Sequence, residues 1–386
     1  MVLRRLFYFN LLIICAISTS LYAQEKTSEL QFTNQKILKC TSVKDQNKTN
    51  TCWCFSAISL IESELIREGK GEYDLSEMFV VRHAWDAKVQ RYVRMHGNIS
   101  FAGGGENNDV PDMIKQFGIV PEEVYSGLKP DEEKHNHTEM DKVLKSYVDG
   151  VIKDENQKLS LVWFNGFQNI LDAYLGDPPE KFTFKGKNYT PQTFAKELGI
   201  HTEDYVLFSS FTHHPVYQKF ILEVPDNWSW GQVYNVPLDD LVSVIDTALA
   251  HDHTVAWAAD ISEKSFSFSK GIAIVPDIVE DRRISTEEWN SLLTKPGNEK
   301  KITSELRQKE FDNFSTTDDH GMHIVGWAKD QNGKKYYYVK NSWGTGNMYG
   351  GFQYVSEAYV RLKTTAIMLN KKALSNKITN AFSDLK

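Results

Sequence analysis

The segment Gln46-Asn47-Lys48-Thr49-Asn50-Thr51-Cys52-Trp53-Cys54-Phe55-Ser56 constrains this chain more than any other, because it places a thiol where a helix begins. Apolar residues at 55, 58, 61 and 65 follow it at helical spacing, so Cys52 falls in a first helical turn. There the helix macrodipole favours thiolate over thiol. A thiolate nucleophile in turn needs a base, a group to orient that base, and donors for an oxyanion.

A hairpin far downstream supplies the first two. Met322 to Ala328 and Lys335 to Lys340 read as strands separated by Asp330-Gln331-Asn332-Gly333, and an Asn-Gly pair between apolar runs is a strong hairpin signal. The first strand is preceded by Asp318-Asp319-His320-Gly321 and the second runs into Asn341-Ser342-Trp343-Gly344. Such a hairpin brings His320 and Asn341 side by side. An Asn carbonyl that accepts a hydrogen bond from one ring nitrogen aims the other at the thiol. His323 has the opposite strand parity and belongs to the other face.

The 386 residues suffice for one large domain or two lobes. A net charge of −7 offers no basic stripe to neutralise phosphates, which argues against nucleic acid as a partner. At the N-terminus, Arg4 and Arg5 precede the apolar run Leu6 to Ile17, and Leu21-Tyr22-Ala23 ends in a small residue. This reads as a secretory leader, residues 1–23, cleaved after Ala23, with a retained anchor as the alternative. Nothing later reaches the roughly 20 apolar residues of a membrane span. The expectation is an exported chain, periplasmic or extracellular, with no stable membrane span once the leader is gone. It keeps Cys40, Cys52 and Cys54, an odd count that implies a free thiol and leaves a Cys40–Cys54 bridge open. No His or Cys cluster stands near Cys52 at zinc-ligand spacing, so no metal is expected.

No internal repeat or low-complexity tract interrupts the chain. Ser76 reads as the cap of a second helix, and Val110 to Gly118 as a third helix ended by glycine. Between them lies Ala102-Gly103-Gly104-Gly105-Glu106, where glycines permit close approach by another backbone. Residues 128–175 are strongly charged with a helical pattern, and read as a solvated helical hairpin or insertion. From about 180 the texture changes to strands such as Tyr205 to Phe208 and Thr254 to Asp260, with a helix over Leu238 to Ala250. The chain is therefore α+β: a helical half carries Cys52 and a sheet-rich half carries His320 and Asn341. A cleft between two such halves suits a peptide or small ligand.

Gln46 six residues before Cys52, the Cys52-Trp53-x-Phe55-Ser56 run, the glycine loop, His320-Gly321-Met322-His323-Ile324-Val325-Gly326-Trp327 and Asn341-Ser342-Trp343-Gly344 together resemble the papain-like cysteine peptidases. His320 stands seven residues before Trp327, as the family's base stands before its aromatic. The 268 residues from Cys52 to His320 exceed the roughly 130–150 usual in the family. A long insertion between the catalytic motifs resembles the bleomycin hydrolase and aminopeptidase C branch. So do the segments Ile119 to Tyr125, Phe211 to Tyr217, Val255 to Asp260 and Ala366 to Leu374.

The resemblance implies a papain-like two-lobe fold over 24–386, with a helical lobe at about 38–127, the insertion at about 128–200, and a β-rich lobe and tail at about 201–386. It implies peptide hydrolysis through a Cys52 thioester. His320 would be the imidazolium partner and base, Asn341 its orienting group, and Gln46 with the Cys52 N–H the oxyanion donors. Trp343 would cover the His–Asn bond, and Gly104 and Gly105 would offer backbone groups to the substrate. No cofactor is implied; relatives form hexameric chambers, and whether this chain is a homo-oligomer is left open, because its insertion is shorter than theirs. In that branch the C-terminal tail lies in the cleft and binds the substrate's free amino terminus. Where Thr379 to Lys386 lies is left open, as are an endopeptidase with an open cleft and a non-catalytic binding protein. Asn50 and Thr51 depart from the small residues that members often carry before the cysteine.

Overall fold

The computed structural model describes residues 29–129, 131–153, 158–278 and 283–385. The expected leader lies outside them. In chain order the elements are β1 (Phe32–Ile37), α1 (Cys52–Arg67), α2 (Glu77–Arg94), α3 (Asp109–Phe117), α4 (Thr138–Ile152), α5 (Val162–Leu175), β2 (Phe182–Phe184), β3 (Lys187–Tyr189), α6 (Pro191–Leu198), β4 (Tyr205–Ser209), β5 (Lys219–Ile221), β6 (Gln232–Asn235), α7 (Leu238–Ala250), β7 (Val255–Ala259), β8 (Phe266–Ser267), β9 (Ile272–Ala273), α8 (Thr286–Thr294), α9 (Ser304–Asp312), β10 (His320–Asp330), β11 (Lys335–Lys340), β12 (Phe352–Ser356), α10 (Glu357–Lys363), β13 (Thr364–Asn370) and α11 (Asn376–Ala381).

The helical half forms where its local signals say it should. Ser76 caps α2 by accepting from the Phe79 N–H, a contact worth about 1 kcal/mol. Gly118 ends α3 at φ +82°. The helices α1, α2 and α3 share one apolar core, with Ile58, Leu60, Ile61, Phe79, Val89 and Val110 almost fully buried. The charged hairpin α4–α5 is less solvated than its composition suggests. Met140, Leu144 and Val148 on α4 and Phe167, Leu171 and Leu175 on α5 repeat every four residues and enter that same core.

Eleven strands form one sheet in the order β5-β6-β4-β13-β7-β10-β11-β12-β9-β8, with β1 also paired to β10. The hairpin β10–β11 closes through Asp330, whose carboxylate accepts from the Asn332 and Lys334 N–H groups, and Gly333 at φ +82°. His320 to Ile324 pair antiparallel with Ala259 to Val255 of β7. Hence β7 and β10 are neighbours although β8, β9, α8 and α9 intervene in the chain. The second core, under α7 and α10, contains Ile245, Trp257, Ile324, Val339, Tyr359 and Ile367. Among the described residues no helix is long and apolar enough to cross a membrane.

Candidate active site

α1 lies along the face of β10, with Cys52 and Ser56 against Gly321 and Ser59 against His323. Its first turn starts at Thr51, whose side chain leaves the helical N–H groups uncapped and meets Thr49 instead. The loop before it needs left-handed backbone at Asn47 (φ +52°) and Asn50 (φ +54°). Asparagine tolerates that conformation better than other side chains do, so Asn50 is compatible with a turn that delivers Cys52 to the helix start. On the facing strand, a Cβ at Gly321 would lie 2.7 Å from Ser56 Oγ and 2.9 Å from the Cys52 carbonyl oxygen. Only glycine lets β10 pack this closely on α1.

Cys52 and His320 line one cleft of about 370 Å³, together with Gln46, Gly104, Gly105 and Trp343. His320 Nε2 lies 2.8 Å from Asn341 Oδ1. That Asn341 atom also accepts the Ser342 N–H at 2.7 Å, which fixes it as the oxygen and makes Nε2 the donor. The Nδ1 lone pair is then the proton acceptor of the ring. Asn341 Nδ2 donates to Gln353 Oε1 at 2.8 Å, so the orienting group is itself oriented. The Trp343 ring lies 4.5 Å from the His320 ring, and Phe266 and Phe268 stand edge-on behind it.

Gln46 is held at both ends of its residue by one partner. Its N–H donates to the Ser342 carbonyl at 2.8 Å and its Oε1 accepts from Ser342 Oγ at 2.6 Å. The Oε1 end being occupied, the Nε2 donors are the part of the amide left for a ligand. Gln353 carries no sequence signal, and Ser342 and Gly321 stand inside the motifs without a role of their own, since each acts through a partner remote in the chain. His323 lies on the other face, where its Nδ1 meets Ser59 Oγ at 2.9 Å.

The electrostatics modify the expected ion pair. Burial pushes the Cys52 thiol up to about 11, against the Gly321 and Trp53 N–H groups, which favour the thiolate. Burial pushes His320 down to about 4, against its bond to Asn341. Desolvation thus disfavours the charged form of each group taken alone. One proton passing from thiol to imidazole makes two opposite charges at once, so the pair titrates as a unit.

The glycine loop is tied down from within the protein. Lys88 Nζ donates to the Ala102 and Gly104 carbonyls, and Trp53 Nε1 to the Gly103 carbonyl at 3.1 Å. Gly104 therefore has its carbonyl engaged within the protein. A Cβ there would run into the Asp226 carboxylate, and one at Gly105 into the Trp53 ring at 2.9 Å. Cys40, Cys52 and Cys54 are all free thiols, so no Cys40–Cys54 bridge forms. Outside the cleft, ligand atoms of His213, His214 and Glu223 lie within 4.8 Å of one another, with the Glu223 carboxylate bonded to both imidazoles.

The Peptidase C1-like family model matches residues 13–385. The chain belongs to the Peptidase C1-like family. The peptidase is 20% identical to aminopeptidase E of Lactobacillus helveticus, over 92% of this chain and 87% of that protein. It is 22% identical to aminopeptidase W of Lactobacillus delbrueckii subsp. lactis, over 87% and 82%, and 21% identical to aminopeptidase C of Streptococcus thermophilus, over 86% and 81%. The crystal structure of PepW from Lactobacillus rhamnosis HN001 (DR20) superposes with a TM-score of 0.69 at 19% identity, covering 90% of this chain and 84% of that one. The fold is papain-like α+β, and the peptidase is a cysteine peptidase of the branch that includes aminopeptidases C, E and W.

The segment that closes the described chain lies elsewhere than in the cleft. Phe382 is buried against Phe208 of β4 and Tyr234 of β6, Asp384 bonds Tyr234 Oη at 3.0 Å, and Ile378 and Leu385 join the second core. No residue of 371–385 lines the cleft.

Proposed function

We propose that this peptidase is an aminopeptidase that releases residues from peptides through a thioester on Cys52. The observation that carries the chemistry is the 2.8 Å bond from His320 Nε2 to Asn341 Oδ1, which leaves Nδ1 as the base in a cleft shared with Cys52. The names of the relatives support the exopeptidase reading.

Cys52 Sγ gives its proton to His320 Nδ1 as it attacks the scissile carbonyl, and the developing oxyanion is held by Gln46 Nε2 and the Cys52 N–H. His320 then passes that proton to the leaving amine, and the amine departs as the thioester forms. A water deprotonated by His320 attacks the thioester, and the thiol recovers the proton as the acid leaves. Asn341 holds the ring in the required tautomer, with Gln353 fixing Asn341 and Trp343 shielding the bond from water. Every proton moved is returned, so the cycle needs only peptide and water.

The N-terminal pattern of Arg4, Arg5 and an apolar run to Ala23 supports an exported enzyme whose leader, residues 1–23, is removed. The division into a helical lobe, an insertion over about 128–200 and a β-rich lobe belongs to the same proposal.

Hydrolysis of a free-amino aminoacyl coumarylamide by the reduced protein, beside Cys52→Ala and His320→Ala, tests the function. The expected result is turnover that falls by about a thousandfold or more in either variant, the scale of losing a nucleophile or its base. Turnover that persists in Cys52→Ala overturns the proposal.

A further inference from the structure

The cleft carries an excess of acidic groups that acyl transfer does not use. Its lining holds Glu106, Asp226, Asp318 and Asp319 and, among the described residues, no Lys or Arg. Glu106 is almost fully buried at 2% exposure, and its Oε2 has no hydrogen-bond partner. A buried carboxyl oxygen left without a donor is costly, and on a residue that lines the cleft it points to a donor that arrives with a ligand.

Asp226 shows where along the cleft that ligand ends. It sits on the segment 222–231 between β5 and β6, which leaves the sheet and docks on the helical side. Arg91 donates to the Ser229 carbonyl at 2.9 Å, Asn108 Nδ2 to Ser229 Oγ at 3.1 Å, and Lys88 lies over the Trp228 ring. The Asp226 N–H donates to Asp318 Oδ2 at 2.9 Å, two residues before His320. Its carboxylate rests directly on Gly104. Asp226 therefore bridges the glycine loop and the start of β10, and it brings its carboxyl group into the lining of the cleft that holds the thiol.

We propose that Glu106 and Asp226, with Asp318 behind them, form the receptor for the free α-ammonium group of the substrate. The assignment rests on the aminopeptidase reading and deepens it: these carboxyl groups decide that a peptide must begin beside the glycine loop. An ammonium carries three donors, which suits the Glu106 orphan and an Asp226 carboxylate held beside it. The carboxylates are not arranged as a metal chelate, since among the described residues the groups close enough to share an ion are His213, His214 and Glu223. Lys88 is the buried cation on the other side of the loop, and its donors go to the Ala102 and Gly104 carbonyls. Burial and the charges of Asp318, Asp109 and Asp226 hold the Glu106 carboxyl well above its ordinary range, and a bound cation relieves that repulsion. With residues 371–385 packed away from the cleft, Glu106 and Asp226 take the role that the branch resemblance gave to the tail.

The test uses one neutral aminoacyl coumarylamide with a free amine, its N-acetylated form, and an N-acetyl-lysyl analogue. Each is assayed with the full chain and with Glu106→Gln and Asp226→Asn, both isosteric. The intact protein is expected to prefer the free amine in kcat/KM, and each substitution to cut the ratio of free to acetylated substrate by about tenfold or more, mainly through KM, as loss of a charged hydrogen bond does. Equal rates on both forms in the intact protein, or a ratio untouched by both substitutions, overturn the receptor while leaving the peptidase standing. A preference for the acetyl-lysyl substrate that vanishes in Glu106→Gln overturns it too, by assigning the carboxylates to a side chain. Protection of Cys52 from iodoacetamide supplies a readout free of turnover. Leucinamide should protect the intact protein better than N-acetylleucinamide, and the difference should be lost in both variants. Equal protection by the two amides contradicts the receptor even in a protein that hydrolyses nothing. Selective protection without hydrolysis sustains the receptor and sinks the aminopeptidase reading.

Discussion

At the scale of single residues the site is governed by desolvation. His320 is 5% exposed, and its ring is held at about 4 where an ordinary histidine titrates near 6.5. The sign follows: below the folded value the ring is already protonated and cannot accept the thiol proton, and above it the base is available. The kcat/KM profile should therefore rise through an acid limb whose midpoint is displaced below 6.5, toward about 4. A midpoint at or above 6.5 in a pH series contradicts the burial argument. Cys52, His320, Asn341 and Gln46 are legible in the sequence because each stands in a local run with its own spacing. Gln353, Ser342, Glu106 and Asp226 are not, because their roles depend on partners far along the chain: Gln353 on Asn341, Ser342 on Gln46, Asp226 on Gly104.

At the scale of elements, the site depends on the closeness of α1 to β10. Gly321 faces Ser56 and the Cys52 carbonyl, and the latter is backbone that cannot swing aside. Gly321→Ala must push strand from helix, and overpacking of this kind costs about 1–3 kcal/mol. The expected outcome is a lower melting temperature together with a fall in kcat/KM of about tenfold or more, because the displaced strand carries His320. Parent-like kinetics in Gly321→Ala would show that the contact is slack. The elements with caps, glycine stops or strict periodicity are legible: Ser76 opens α2, Gly118 ends α3, α7 spans Leu238–Ala250, and Asn332-Gly333 turns β10 into β11. The strand β1 is missed because its sequence Phe-Thr-Asn-Gln-Lys-Ile is mostly polar and exposed at its pairing with β10. The hairpin α4–α5 is solvated over most of its surface, and what its charge hides in the sequence is the four-residue apolar stripe that docks it.

At the scale of the molecule, two halves meet at one cleft, and three remote pieces of chain complete it. The helical half brings the nucleophile, the hairpin β10–β11 brings the base with its orienting amide, and the segment 222–231 brings Asp226. The fold class is legible because a helical texture gives way to a strand texture near residue 180. The placement of residues 376–385 is not, because Phe382 finds its pocket on β4 and β6 only once the sheet has formed. Since that pocket is on the sheet and not in the cleft, the account transfers the amino-terminal limit of the substrate to Asp226 and Glu106.

The central claim is that Cys52 carries the acyl group during turnover. Rapid acid quench of the reduced protein with excess aminoacyl ester, followed by peptide mass mapping, reads that group directly. The account predicts an aminoacyl adduct on Cys52, absent from Cys40 and Cys54 and lost in Cys52→Ala. Steady hydrolysis with no adduct on Cys52, or an adduct at another residue, would contradict it.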